Sequence, residues 1–188
     1  IIGADLLGKP HMGKCIFGEG TTNVPAKVAA LYYAADRLYN IEKINEMLDN
    51  GINVILDRYV YSNLAHQGGK ISEKEKRIEM YNWLDKLEFE LLELPKADIK
   101  VFLHMPYEVS CELKKNREEL PDQHELSKEH LLMAENAYKE IADIYEFKTI
   151  ECSSDNKPRA IEEINDELYS HVCEGLMYKD SKILEKRK

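Results

Sequence analysis

Asp57 and Arg58 close a short apolar run, "NVILDRY", so a carboxylate and a guanidinium stand side by side where a hydrophobic segment ends. Taken alone, the pair reads as a salt bridge or a helix cap. The chemically richer reading is a phosphate site. Asp57 would hold a magnesium shell through water, or a phosphate-bound proton, and Arg58 would clamp a phosphoryl group with its planar fork. The residues that follow favour this second reading: Tyr59, Ser62, Asn63, His66 and Gln67 come close behind. Asn and Gln amides offer paired donor and acceptor groups to a base edge, and Tyr or His rings pack on a sugar.

Two further stretches carry the same chemistry. "LYYAADRLY" puts Tyr33 and Arg37 four apart, hence on one helix face, where a ring can stack on a nucleobase and a guanidinium can reach its exocyclic oxygen. The bland alternatives are core packing for Tyr33 and an ordinary ion pair with a nearby acid for Arg37. "ELKKNREELPDQHE" gathers Lys114, Lys115 and Arg117. It is either a solvated charged face or a lid whose cations reach transferring phosphates on closing.

The elements that must position these residues follow from periodicity. "INVILD" (52–57), "IKVFLHM" (99–105) and "FKTIEC" (147–152) are of strand length and rich in β-branched or aromatic residues. Helical patterns occupy 25–50, with Gly51 as the residue just past the end, then 72–94, 127–146 and 158–172. Ser72 and Glu75 read as a capping box for the second of these. Strands alternating with such helices imply an α/β fold, a parallel sheet with right-handed crossovers flanked by helices in three layers. Its ligands sit beyond the carboxyl ends of the strands, which is where 52–57 would deliver Asp57 and Arg58.

The bulk numbers agree with a single domain of a soluble, globular kind. The chain has 188 residues, 44% hydrophobic and 32% charged, with net charge −9. That charge argues against a broad grip on nucleic acid, and no stretch is apolar over the length of a membrane span. No secretory leader pattern is visible. Cysteines at 15, 111, 152 and 173 form no C-x-x-C pair, which fits reduced thiols and a cytoplasmic location. His66, His104, His124 and His130 are scattered, without a metal-ligand spacing. The last residues, 173–188, read as a charged, solvated tail.

In order and at sensible separations, "AADR", "DRYVYSNLAHQG", "LPKADIKVFLHMPYEVS", the charged stretch and "AENAYKEIA" resemble the thymidylate kinase family over roughly residues 10 to 172. The resemblance implies a P-loop nucleoside monophosphate kinase fold and transfer of the ATP γ-phosphoryl group to dTMP, giving dTDP for dTTP synthesis. It implies Mg2+, ATP as co-substrate, a homodimer, a domain over 1–172 and a lid about 112–126. Residue by residue, Tyr33 matches the ring that stacks on thymine and Arg37 the arginine at a thymine carbonyl oxygen. Asp57 and Arg58 match the acid and arginine near the monophosphate and magnesium. Tyr59 and Ser62 belong to the same segment, and Asn63 and His66 fall where side chains contact base and deoxyribose. His66 stands where tyrosine is more usual. Gln67 matches a position often filled by glutamine, and Tyr138 a tyrosine approaching from the helix after the lid. Lys115 or Arg117 would stabilise charge on the transferring group.

One element of the family pattern is not found in the 188 residues. No G-x-x-x-x-G-K-[ST] loop occurs; "LLGKPHMGKC" has two Gly-Lys pairs without the following hydroxyl residue, and "FGEGTTN" reads as a turn. The resemblance therefore places the first strand, P-loop, first helix and second strand before Ile1. Two other readings remain: a deoxynucleoside kinase, which usually shows Glu-Arg-Ser in place of Asp-Arg-Tyr, or a non-catalytic nucleotide-binding paralogue or truncated fragment.

Overall fold

The computed structural model describes residues 24–114 and 128–185. The Gly-Lys pairs and the turn expected within 1–23 lie outside the described residues, as do Lys115, Arg117 and most of the expected lid. The chain forms two compact units, one over Ile1–Lys96 and Ser127–Ala137, the other over Ala97–Leu126 and Tyr138–Lys188.

The first unit is helical. Helix α1 spans Ala26–Asp49, as its periodicity predicts, and Gly51 follows at φ 74°, the left-handed conformation that glycine adopts without a Cβ penalty. Its buried face reads Ala30, Ala34, Arg37, Ile41, Ile44, a stripe of alternating four and three spacing with a guanidinium in the middle. Helix α2, Val60–Gly68, was not legible as a helix in the sequence. It packs on α1 and on α3, Lys74–Asp85. Small residues permit the approach: a Cβ built on Gly68 would lie 2.2 Å from Cε1 of Tyr81.

Two expectations for the third helix are corrected. Its N-cap is Glu73, with no side-chain capping bond, so the Ser72–Glu75 box does not form. Instead the Arg77 guanidinium donates to the carbonyls of Ile71 and Ser72, at 2.9 and 3.2 Å. Nor does one α-helix run from 72 to 94. The chain widens at Lys86–Leu91 into a π-helical segment. In an unbroken α-helix Tyr81, Leu84, Glu88 and Leu91 would share a face. Here the first three are buried and Leu91 is 66% exposed.

The expected strand 52–57 is a third correction. The segment is unladdered, with Val54 and Leu56 half-buried and Ile52 and Ile55 exposed. A strand exists only when a neighbour completes its hydrogen-bond ladder, and no described segment pairs with this one. Its composition is strand-like, but pairing is not a property of the segment alone.

The second unit contains the other two expected strands. β1, Val101–His104, pairs in parallel with β2, Lys148–Glu151, with Leu103 opposite Ile150 and His104 opposite Glu151. Helices α4, Tyr107–Lys114, and α5, Lys128–Ile144, lie between them in the chain; α5 is the helix expected over 127–146. A two-residue hairpin, Ser153–Ser154 with Lys157–Pro158, turns through Asp155 and Asn156 at φ 51° and 58°. Positive φ at both central residues is the type I′ geometry, which Asp and Asn tolerate best among non-glycine residues. Helix α6 runs from Ile161 to Glu185, so the backbone expected as a tail from 173 continues the last helix.

Candidate active site

Asp57 and Arg58 stand at a bend between the extended segment and α2, and both are exposed. Arg58 has φ 68°, a left-handed backbone uncommon for a residue with a Cβ. The next residue, Tyr59, is the N-cap of α2, and its carbonyl accepts from the Ser62 N–H at 3.1 Å. The acid and the guanidinium are thus presented at the start of a helix, on a backbone held in an unusual conformation.

Behind that bend the side chains of α1, α2 and the π-helical segment converge. Arg37 grips Glu88 with two nitrogens: Nε donates to Oε2 at 2.6 Å and Nη2 donates to Oε1. Asn63 joins them, its Nδ2 donating to Glu88 Oε1 at 3.0 Å and to the Ala30 carbonyl at 3.1 Å. Asn63 Oδ1 is buried without a hydrogen-bond partner among the described residues. Tyr59 borders the cluster and donates its hydroxyl to the Pro95 carbonyl at 3.1 Å. Burial pushes the Tyr59 phenol up to about 12; the Glu88 carboxylate adds to the rise and the Arg37 guanidinium opposes it.

Arg37, Tyr59 and Asn63 are therefore brought together. Tyr33 lies one helical turn before Arg37, half-buried. Ser62 and His66, both half-buried, share α2 with Asn63. Gln67 is buried, and its Oε1 accepts from the Lys70 ammonium at 3.0 Å. Burial holds the Lys70 pKa below its ordinary value. Tyr138 belongs to the second unit, where it stacks on Phe102 with ring centroids 5.6 Å apart and planes 15° from parallel.

Glu88 is the residue that sequence reasoning missed. It is fully buried, yet it sits in the acidic stretch "DKLEFELLEL", where any one glutamate reads as solvated. The available signal was spacing: Tyr81, Leu84 and Glu88 fall on one stripe, and a carboxylate on an apolar stripe demands a cation. Arg37 on the stripe of α1 makes the complementary demand.

A magnesium ion is implied by the resemblance described above. Among the described residues no three His, Cys, Asp or Glu side chains gather to hold a metal. An Mg2+ that keeps most of its water and is shared with substrate phosphates needs only one or two carboxylates. The exposed carboxylate of Asp57, beside Arg58, fits that demand.

Comparison with known proteins gives the architecture first. The chain superposes on a solved thymidylate kinase structure from Candida albicans with a TM-score of 0.64 over 89% of this chain and 76% of that one, at 20% identity. The fold is thus that of the P-loop nucleoside monophosphate kinases. The sequence then gives the family: the profile of the thymidylate kinases matches residues 14–166, and the chain belongs to the thymidylate kinase family. It is 28% identical over 156 residues to a probable thymidylate kinase of Methanocaldococcus jannaschii, covering 82% of this chain and 71% of the relative. It is 27% identical over 154 residues to a thymidylate kinase of Dictyostelium discoideum, covering 81% and 60%. A probable thymidylate kinase of Saccharolobus solfataricus matches at 29% over 125 residues, 59% of its length. The chain thus spans between about three fifths and seven tenths of the length of these relatives. The family is one of nucleoside monophosphate kinases, enzymes that phosphorylate dTMP to dTDP with ATP as co-substrate.

Proposed function

We propose that this protein transfers the γ-phosphoryl group of ATP to the 5′-phosphate of dTMP, with 1–172 as the kinase domain and a lid about 112–126. What carries the reading is the convergence of Arg37, Tyr59 and Asn63 in one unit, behind a bend that exposes Asp57 and Arg58. In this assignment Tyr33 stacks on the base, and Arg37 and Asn63 read its edge. Ser62, His66, Gln67 and Tyr138 line the nucleoside. Arg58 holds the acceptor phosphate, and Lys115 or Arg117 neutralises charge on the group in flight. Asp57 would hold Mg2+ through water, and the ion would supply neutralisation of the phosphates. The protein's share of the catalysis is alignment of two anionic groups and exclusion of water.

A homodimer and a cytoplasmic location complete the proposal. Helix α1 exposes Val28, Leu31, Leu38 and Leu48, more apolar area than a helix facing only water needs, and α3 is a second candidate interface element. Free thiols at Cys111, Cys152 and Cys173 fit a reducing compartment. No described helix is long and apolar enough to cross a membrane, and the acidic net charge of −9 argues against a nucleic-acid partner.

The test is a calorimetric titration with dTMP beside a coupled ADP-release assay with dTMP or thymidine. Binding of dTMP with ADP release supports the proposal. Thymidine phosphorylated in preference to dTMP would decide for a deoxynucleoside kinase, which Asp-Arg-Tyr at 57–59 and the family match both disfavour. Binding of dTMP with no ADP release would mark a non-catalytic nucleotide-binding protein.

A further inference from the structure

Phosphoryl transfer as proposed gives Glu88 no task, yet three hydrogen bonds converge on its buried carboxylate. Their arrangement fixes the direction of its neighbours. Asn63 Nδ2 has two acceptors, Glu88 Oε1 and the Ala30 carbonyl, so both amide hydrogens are committed. The amide cannot turn over without pointing its oxygen at a carboxylate and a carbonyl. Its Oδ1 is thereby left as a buried acceptor lacking a partner among the described residues, and buried acceptors in folded proteins are normally satisfied. Arg37 spends Nε and Nη2 on the same carboxylate, which leaves Nη1 as the nitrogen not committed to Glu88.

We infer that Glu88 is a positioning residue that sets the hydrogen-bond polarity of the base pocket, by holding the Asn63 amide with its Oδ1 presented as acceptor and by aiming Arg37, a donor in any setting, beside it. The inference rests on the nucleotide-binding reading above. A pocket of that polarity accepts a pyrimidine whose ring N–H adjoins a carbonyl, the imide edge of thymine or uracil. It turns away a 4-amino pyrimidine, which would set acceptor against acceptor and donor against donor. Sites built on such buried polar groups discriminate strongly, because the wrong ligand leaves them unpaired. Glu88 touches no substrate in this scheme and acts through Asn63 and Arg37.

The experiment is calorimetric titration of the full chain with dTMP and with dCMP. Wild type is expected to prefer dTMP by on the order of a hundredfold or more. Two neutral double variants isolate residue 88, since neither leaves an uncompensated buried charge. R37M/E88Q keeps an acceptor for Asn63, and R37M/E88M removes it. The ratio of dTMP to dCMP affinity should be on the order of tenfold higher in the first than in the second. A purely structural role would move the melting temperature and leave the ratio alone, so equal ratios overturn the inference, as does a wild type indifferent to the two nucleotides. Should either double variant fail to fold, the Asn63 side-chain amide protons of the wild type decide by NMR. Slow solvent exchange is expected of two engaged hydrogens, and fast exchange overturns the inference without a variant. Binding with the expected preference but no ADP release overturns phosphoryl transfer alone. ADP release from dTMP with a preference independent of residue 88 overturns the role of Glu88 alone.

Discussion

The guanidinium of Arg37 and the carboxylate of Glu88, 51 residues apart in the chain, meet as a two-pronged ion pair whose side chains are 9% and 0% exposed. Such a pair is weak evidence of net stabilisation, because desolvating two charges offsets most of their attraction. Breaking it is another matter. Arg37→Met or Glu88→Met alone strands one buried charge and should cost about 3–5 kcal/mol. The double replacement should recover most of that loss, or exceed wild type. Urea denaturation of the three variants checks this, and a double variant no more stable than the worse single one would show that the pair itself contributes net stability.

How much of this was legible beforehand varies with the physics involved. Helix α1, with Gly51 after its end, and the parallel strands β1 and β2 follow from local periodicity and turn chemistry, and both were readable. Segment 52–57 has the composition of a strand, but a ladder needs a partner, which composition cannot supply. The π-helical segment was invisible, because widening a turn by one residue leaves no propensity signature. At the site, the candidates Asp57, Arg58, Tyr33, Arg37 and Asn63 came from residue type and spacing, but the bend at Asp57-Arg58 did not, because a strand was expected to run up to it. Glu88 did not, because its role depends on Arg37 and Asn63 arriving from two other helices. Helix α2 was missed for a related reason: Asn63, Gln67 and Gly68 look loop-like until their burial against α1 and α3 is known.

Gly68 makes the packing of α2 on α3 testable. A methyl group there would meet the Tyr81 ring at 2.2 Å, and Tyr81 is 1% exposed, so the ring has little room to yield. Gly68→Ala should destabilise by about 1–3 kcal/mol through overpacking, despite the better helix propensity of alanine. Gly68→Ala combined with Tyr81→Leu should lose less than the sum of the two single changes. Additive losses in thermal melts would show that the two sites do not share that space.

Tyr59 should give the fold a distinctive alkaline limb. Burial pushes its folded pKa up to about 12 from the ordinary 10.0, so the folded chain holds the phenolic proton more tightly than the unfolded chain. The sign follows: this contribution is fully present below pH 10 and is lost as pH rises towards and through 12. Tyr59→Phe removes the titration, and also the bond to the Pro95 carbonyl. The variant should therefore lose some stability at neutral pH, with a flatter decline between pH 10 and 12. Ultraviolet absorbance of tyrosinate during an alkaline titration, run beside stability curves, checks both parts; an unchanged slope would mean that Tyr59 ionises at its ordinary pKa.

Arg58 separates backbone cost from side-chain function at one position. Its φ of 68° costs a residue with a Cβ about 1 kcal/mol, a cost that glycine does not carry. Arg58→Gly should therefore be as stable as wild type or more so, whereas Arg58→Ala keeps the strained backbone and should melt close to wild type. Both lose the guanidinium that the proposed mechanism sets on the acceptor phosphate. Removing such a clamp costs about 3 kcal/mol of transition-state stabilisation, roughly two orders of magnitude in turnover. Asp57→Asn should also slow turnover, and its defect should ease as Mg2+ is raised, because it weakens ion placement rather than phosphate grip. The readout is ADP release with dTMP at saturating ATP, with thermal melts on the same samples. Equal and large losses of turnover in Arg58→Gly and Arg58→Ala, against unequal stabilities, would assign the effect to the guanidinium. Turnover near wild type in Arg58→Gly would instead mean that the bend is a purely structural feature, and that the acceptor phosphate is held elsewhere.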